Sequence, residues 1–189
     1  YGTVTFRDGW MAYNGYLKPS YYDTPVFHPV KVYKKIVIGK LNWHEYHFSS
    51  LAETEGVADD AVQYLNLENF DATEFPARIL DFRQLKTLSI SNHRTYHTNT
   101  HAPLRQIPEA IGQLTELQGL HITNCAIAEL PESIGRLAKL ENLNVSVCQL
   151  QRLPTALFQL PRLKYLFAFN NRIRELPEKI NLPKLESIS

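Results

Sequence analysis

Residues 130–152 read LPESIGRLAKLENLNVSVCQLQR, and residues 107–129 just before them read IPEAIGQLTELQGLHITNCAIAE. Set one above the other, they carry apolar residues at matching positions. Ile111, Leu114, Leu117, Leu120, Ile122 and Ile127 stand over Ile134, Leu137, Leu140, Leu143, Val145 and Leu150. A third copy supplies Leu157, Leu160, Leu163, Leu166, Ala168 and Ile173. The pairs Ile107-Pro108, Leu130-Pro131, Leu153-Pro154 and Leu176-Pro177 recur at steps of 23. Self-similarity at a fixed period of this length marks a solenoid.

Inside each repeat the pattern changes. Leu120/Ile122, Leu143/Val145 and Leu166/Ala168 alternate at period two, which predicts a short strand with one buried face. Proline at the head of the other half suits the first turn of a short helix, where the N–H it lacks has no partner to lose. The apolar spacing of three that follows predicts a short helix or 3-10 turn packed inward. One such coil cannot bury its own face, so coils stack into a shared core.

Two degenerate copies lie upstream. Val62, Leu65, Leu67, Phe70 and Ala72 lead to Phe75-Pro76, followed by Ile79, Phe82, Leu85, Leu88 and Ile90. From Phe75-Pro76 to Ile107-Pro108 the step is 32, so nine extra residues lie within SNHRTYHTNTHAPLRQ, residues 91–106. Six strands are predicted, near residues 63–68, 86–91, 118–123, 141–146, 164–169 and 186–189.

These registered copies, over roughly residues 61–189, resemble leucine-rich repeats of the short kind. That kind occurs in plant intracellular Ras-group-related repeat proteins and in bacterial repeat proteins, some of them secreted effectors. The resemblance implies an α/β solenoid with a concave parallel sheet, short helices or 3-10 turns on the convex side, and a protein-binding role. It also implies that the position after each strand, here Phe70, His93, Cys125, Cys148 and Asn171, ties neighbouring coils together through backbone bonds. Asparagine is usual there and cysteine is a known alternative, so Cys125 and Cys148 read as buried, reduced, structural thiols.

Residues 1–58 show no repeat but hold seven of the ten tyrosines and both tryptophans, Trp10 and Trp43. TVTFRDGWMAY, residues 3–13, predicts a hairpin turning at Asp8-Gly9. VKVYKKIVIG and KLNWHEYHF read as further strands, and SSLAETEGVADDAV, residues 49–62, as a short helix. The chain therefore divides into a β-rich amino-terminal cap or small module, 1–58, and a repeat domain of about six coils, 59–189.

Composition narrows the function classes. The apolar fraction of 44% supports a core, and 20 basic against 19 acidic residues leave a net charge of +1, without the basic excess of a general nucleic-acid binder. Two cysteines make no disulfide framework. No apolar run reaches the length of a membrane span. The chain opens on Tyr1 rather than Met, as a processed form or a fragment does. A cytoplasmic home is expected, with secretion or injection into a host as alternatives.

Catalytic signatures are lacking: there is no nucleophile elbow, P-loop or dinucleotide fingerprint. His44 and His47 around Glu45 have the wrong spacing for a zinc-protease helix. His93, His97 and His101, four apart, are weak metal candidates; the Thr- and Asn-rich residues between them favour a loop over the helix that would align them. Neither a metal nor a cofactor is expected. Asn144-Val145-Ser146 matches a glycosylation acceptor but falls on a predicted strand, and is read as accidental.

The residues flanking the buried strand positions define three outward columns on the concave face. They are Tyr64, Thr87, Gly119, Asn142, Tyr165; Asn66, Ser89, His121, Asn144, Phe167; and Glu68, Ser91, Thr123, Ser146, Phe169. Most are small and polar, but Tyr165, Phe167 and Phe169 set three aromatics on one strand, as interaction sites often do. Tyr165, Phe167, Phe169, His121, Asn144 and Tyr64 are the candidate partner-binding residues. Three functions are carried forward: a module that binds another protein, the substrate-recognition part of a larger effector or ubiquitin-ligase-type enzyme, and a carbohydrate or cell-wall binder. Self-association through the carboxy-terminal coil is a further expectation.

Overall fold

The computed structural model describes residues 3–7 and 10–14 by backbone alone, and residues 47–68, 70, 72–92, 104–177 and 179–189 in full. The chain divides into two units, Tyr1–Lys40 and Leu41–Ser189. In the first, β1 (Thr3–Arg7) pairs antiparallel with β2 (Trp10–Asn14), registering Thr3 with Asn14 and Arg7 with Trp10. This is the expected hairpin; its turn, Asp8-Gly9, lies outside the described residues, as does the strand expected over residues 30–39.

The second unit is one parallel sheet with its strands in chain order: β3 (His47–Phe48), β4 (Tyr64–Glu68), β5 (Thr87–Ser91), β6 (Gly119–Thr123), β7 (Asn142–Asn144), β8 (Tyr165–Phe167) and β9 (Ser187–Ile188). Six of the seven fall where the spacing puts them. The seventh, β3, joins from within the stretch without repeats, registering His47 on Tyr64 and Phe48 on Leu65. Its step to β4 is 17 residues, so a grid of 23 does not find it.

The other half of four successive coils is a 3-10 turn: Ala77–Asp81, Glu109–Gln113, Glu132–Arg136 and Thr155–Gln159. The prolines sit one place earlier than expected, as extended N-cap residues at Pro76, Pro108, Pro131 and Pro154 rather than inside the turn. Instead of the helix expected at 49–62, two 3-10 turns form, Ala52–Thr54 and Asp59–Ala61.

The core is the grid. Ile111, Leu114, Leu117, Leu120 and Ile122 are fully buried, as are Leu137, Leu140, Leu143 and Val145 above them. Ala168 and Ile173, in the coil before the last, are only partly covered. Leu104 is also fully buried. Ala126 N–H bonds its carbonyl as Gln149 N–H bonds that of Ile127 and Arg172 N–H that of Leu150. The chain is therefore back in register by Leu104, and the extra residues lie before it. His93, His97 and His101 lie outside the described residues.

Candidate functional site

Strands β6, β7 and β8 leave the sheet in the same way. Asn124, Val147 and Asn170, 23 apart, adopt left-handed φ angles of 57°, 56° and 54°. The next residue turns inward and bonds to backbone. Asn171 does so most fully: its Oδ1 accepts from Leu150 N–H at 3.0 Å, and its Nδ2 donates to the carbonyls of Val145 and Ala168, both at 2.8 Å. Cys148 Sγ donates to Ile122 O of the preceding coil at 3.4 Å, and Cys125 Sγ to Thr123 O at 3.4 Å. Both thiols are buried and free. Burial pushes Cys125 up to about 12 and Cys148 up to about 11. A buried thiol this hard to ionise is a poor nucleophile.

Convex turns are tied by carboxylates. Glu109 Oε2 accepts from Ser133 N–H at 3.1 Å, and Glu132 Oε2 from Ala156 N–H at 3.4 Å. Pro108-Glu109 and Pro131-Glu132 thus each satisfy an amide in the next coil's first turn, where intrahelical partners are lacking. Lys139 with Glu116 and Lys164 with Glu141 form further coil-to-coil ion pairs, at 2.6 and 2.7 Å.

The strands place the outward columns. The first is continuous in register from His47 through Tyr64, Thr87, Gly119, Asn142 and Tyr165 to Ser187. The second runs Asn66, Ser89, His121, Asn144, Phe167. The third column is only partly accessible. Ser91 is 5% exposed and Ser146 1%. Strands β7 and β8 end at Asn144 and Phe167, so in these coils the third position lies beyond the strand. Only Glu68 and Phe169 of that column are exposed.

The candidate residues fall into one group and one outlier. Phe167, Asn144 and His121 are neighbours in the second column, beside Tyr165. The Tyr165 and Phe167 rings are nearly parallel, with centroids 6.4 Å apart. Phe169 lies beyond the strand and is 49% exposed. Tyr165 is half-buried and its O–H donates to Glu186 Oε2 at 2.5 Å, which raises its pKa. The aromatic trio is therefore graded, from a tethered ring at Tyr165 to an open one at Phe169. His121 is half-buried at the centre, and burial lowers its pKa. Gly119 is buried beside it, and a Cβ there would stand 3.3 Å from His121 Nε2. Asn144 Oδ1 accepts from Ser146 N–H at 3.1 Å, so the acceptor-like side chain is already engaged.

Tyr64 stands apart, at the other end of the face. Its ring stacks on His47 with centroids 4.2 Å apart, beside an open cleft of about 520 Å³ that Glu53 and Asn66 also line. Sequence reasoning missed His47, Glu53 and Glu186. The strand-like KLNWHEYHF was the available signal for His47; the others act through cross-coil neighbours that no local pattern reports. Among the described residues no group of three or more histidines, cysteines or carboxylates is placed to hold a metal.

The stacked parallel strands, 3-10 turns and inward ladder define a leucine-rich-repeat solenoid. Residues 106–189 match the family model described as a leucine-rich repeat region. Among solved structures, the chain is similar to a leucine-rich-repeat protein of Leptospira interrogans, at 26% identity and a TM-score of 0.51, over 69% of this chain and 36% of that one. It is also similar to the leucine-rich repeat domain of the type III effector XopL, at 25% identity and a TM-score of 0.52, over 64% of this chain and 42% of that one. An internalin C2 of Listeria monocytogenes shares the fold at 19% identity and a TM-score of 0.51, over 76% of this chain and 66% of that one. The chain thus spans well under half of the first two. No curated protein matches it.

Proposed function

We propose that this solenoid is a protein-interaction module that binds its partner on the concave face rather than a catalyst. The observation that carries the reading is the aromatic corner formed by Tyr165, Phe167 and Phe169 at one end of a face whose middle strands present mostly small and polar side chains. Aromatic side chains bury much area at little entropic cost and dominate interface energetics. Next to them, Asn144 and His121 supply hydrogen-bonding groups. The amino-terminal segment we read as a cap for the solenoid.

The test is the double change Phe167→Ser and Phe169→Ser. Partner capture from the native cell is expected to be lost while circular dichroism stays as in the parent. Retained capture by a folded double variant moves the site off the aromatic corner.

A second reading, recognition by part of a larger effector, is supported by the likeness to the XopL repeat domain. A reading frame that stops just after Ser189 removes it. Self-association is supported by Leu176, Ile180 and Ile188, exposed in the last coil, and by Phe169 in the coil before it. A monomeric mass by light scattering across the micromolar range argues against it. No helix among the described residues is long and apolar enough to cross a membrane.

A further inference from the structure

We infer that the cleft at the β3–β4 end of the concave sheet receives a cationic side chain, an arginine or lysine, from an extended partner segment. The same segment would lay an apolar residue against Tyr165, Phe167 and Phe169, about six residues further on. This rests on the concave-face reading and adds the chemistry of the partner to it.

The cleft has the parts a cation needs. The stacked rings of His47 and Tyr64 form one wall. The π-system of such a wall attracts a cation. Glu53 lines the cleft and is fixed in place: its Oε2 accepts from Ser49 N–H at 2.8 Å and its Oε1 from Ser49 Oγ–H at 2.7 Å. A second carboxylate, Glu68, lies beside it through Asn66, whose Nδ2 donates to Glu68 Oε1 at 3.0 Å. Among the described residues, no lysine or arginine lines the cleft. Glu53 is thus the charged group of this lining, and a guanidinium or ammonium group complements it.

The rest of the face sets the spacing and the chemistry between the ends. Thr87, Gly119 and Asn142 lie between Tyr64 and Tyr165 in one row, with Ser89, His121 and Asn144 alongside. None of these carries a carboxylate, lysine or arginine, and Gly119 leaves a gap in the row. Four strand steps separate the two tyrosines, roughly 19 Å, which an extended chain covers in about six residues. The middle of the segment is thus expected to be uncharged.

The experiment is panning of phage-displayed random decapeptides against the full 189-residue chain. Enriched peptides are expected to carry Arg or Lys about six positions from Leu, Phe or Trp. For one such synthetic peptide, Glu53→Gln, which keeps an acceptor for Ser49, is expected to weaken binding about five- to tenfold. Repanning against Glu53→Lys is expected to replace the basic position with Asp or Glu. Enriched peptides without the basic residue, no enrichment, or unchanged affinity in Glu53→Gln overturn the inference. Peptides lost with Phe167→Ser but indifferent to Glu53 leave the concave-face reading standing and remove only the cationic subsite. Peptides indifferent to both remove both.

Discussion

Asn171 shows what a single side chain can do between coils. It satisfies Leu150 N–H from the coil below and two carbonyls, those of Val145 and Ala168. Asn171→Ala leaves these groups without partners and is expected to cost about 2–3 kcal/mol, read from the urea midpoint. Val147 is the opposite case, a β-branched residue at φ 56° where Asn124 and Asn170 hold the equivalent places. Asparagine tolerates the left-handed region far better than valine. Val147→Asn is expected to raise stability by about 1 kcal/mol by the same measurement. The cysteines set an alkaline limit. Burial raises both folded thiols, to about 12 and about 11, so above pH 9 the unfolded chain loses protons that the folded one keeps. Stability is therefore complete below the ordinary thiol range and falls as pH rises through 9 to 11. A pH series of melting temperatures is expected to show this fall in the parent and a weaker one in Cys125→Ala/Cys148→Ala.

Elements stack closely only where their sequences allow it. Between the turns Glu109–Gln113 and Glu132–Arg136, a Cβ on Gly112 would meet Ser133 O at 2.6 Å. One coil on, a Cβ on Gly135 would meet Ala156 Cβ at 2.5 Å. In the next coil the same position holds Phe158, fully buried. The convex stack thus relies on two absent side chains and ends on a large one. Gly135→Ala has to push the turns apart, and a loss of about 1–3 kcal/mol in chemical denaturation is expected. A neutral result would mean that the turns separate without disturbing the ladder. Pro and Gly are plain in the sequence as punctuation, but close approach depends on the residue in the next coil, and the repeat spacing does not report it.

Across the whole molecule, stability is shared between neighbouring coils rather than spread through a single globular core. Strands β5, β6 and β7 have fully buried partners on both sides, while the last coil leaves Leu176, Ile180 and Ile188 exposed. Local opening follows contact with neighbours. Hydrogen exchange is expected to be slowest for the amides of residues 119–123 and 142–144 and fastest for β9 and residues 172–180. Uniform protection along the solenoid would contradict this. The spacing of 23, the proline pairs and the period-two runs were enough to determine the solenoid, six of its seven strands and nearly all of its core, because burial within a coil depends on residues close in sequence. Only the tertiary structure decided which outward positions stay open. Ser91 and Ser146 are buried although the strand alternation points them outward, and Tyr165 is tied to Glu186 one coil away. His47 reaches Tyr64 from a strand with no repeat spacing. These outcomes depend on pairs brought together by stacking, and a period read along one chain carries no information about them.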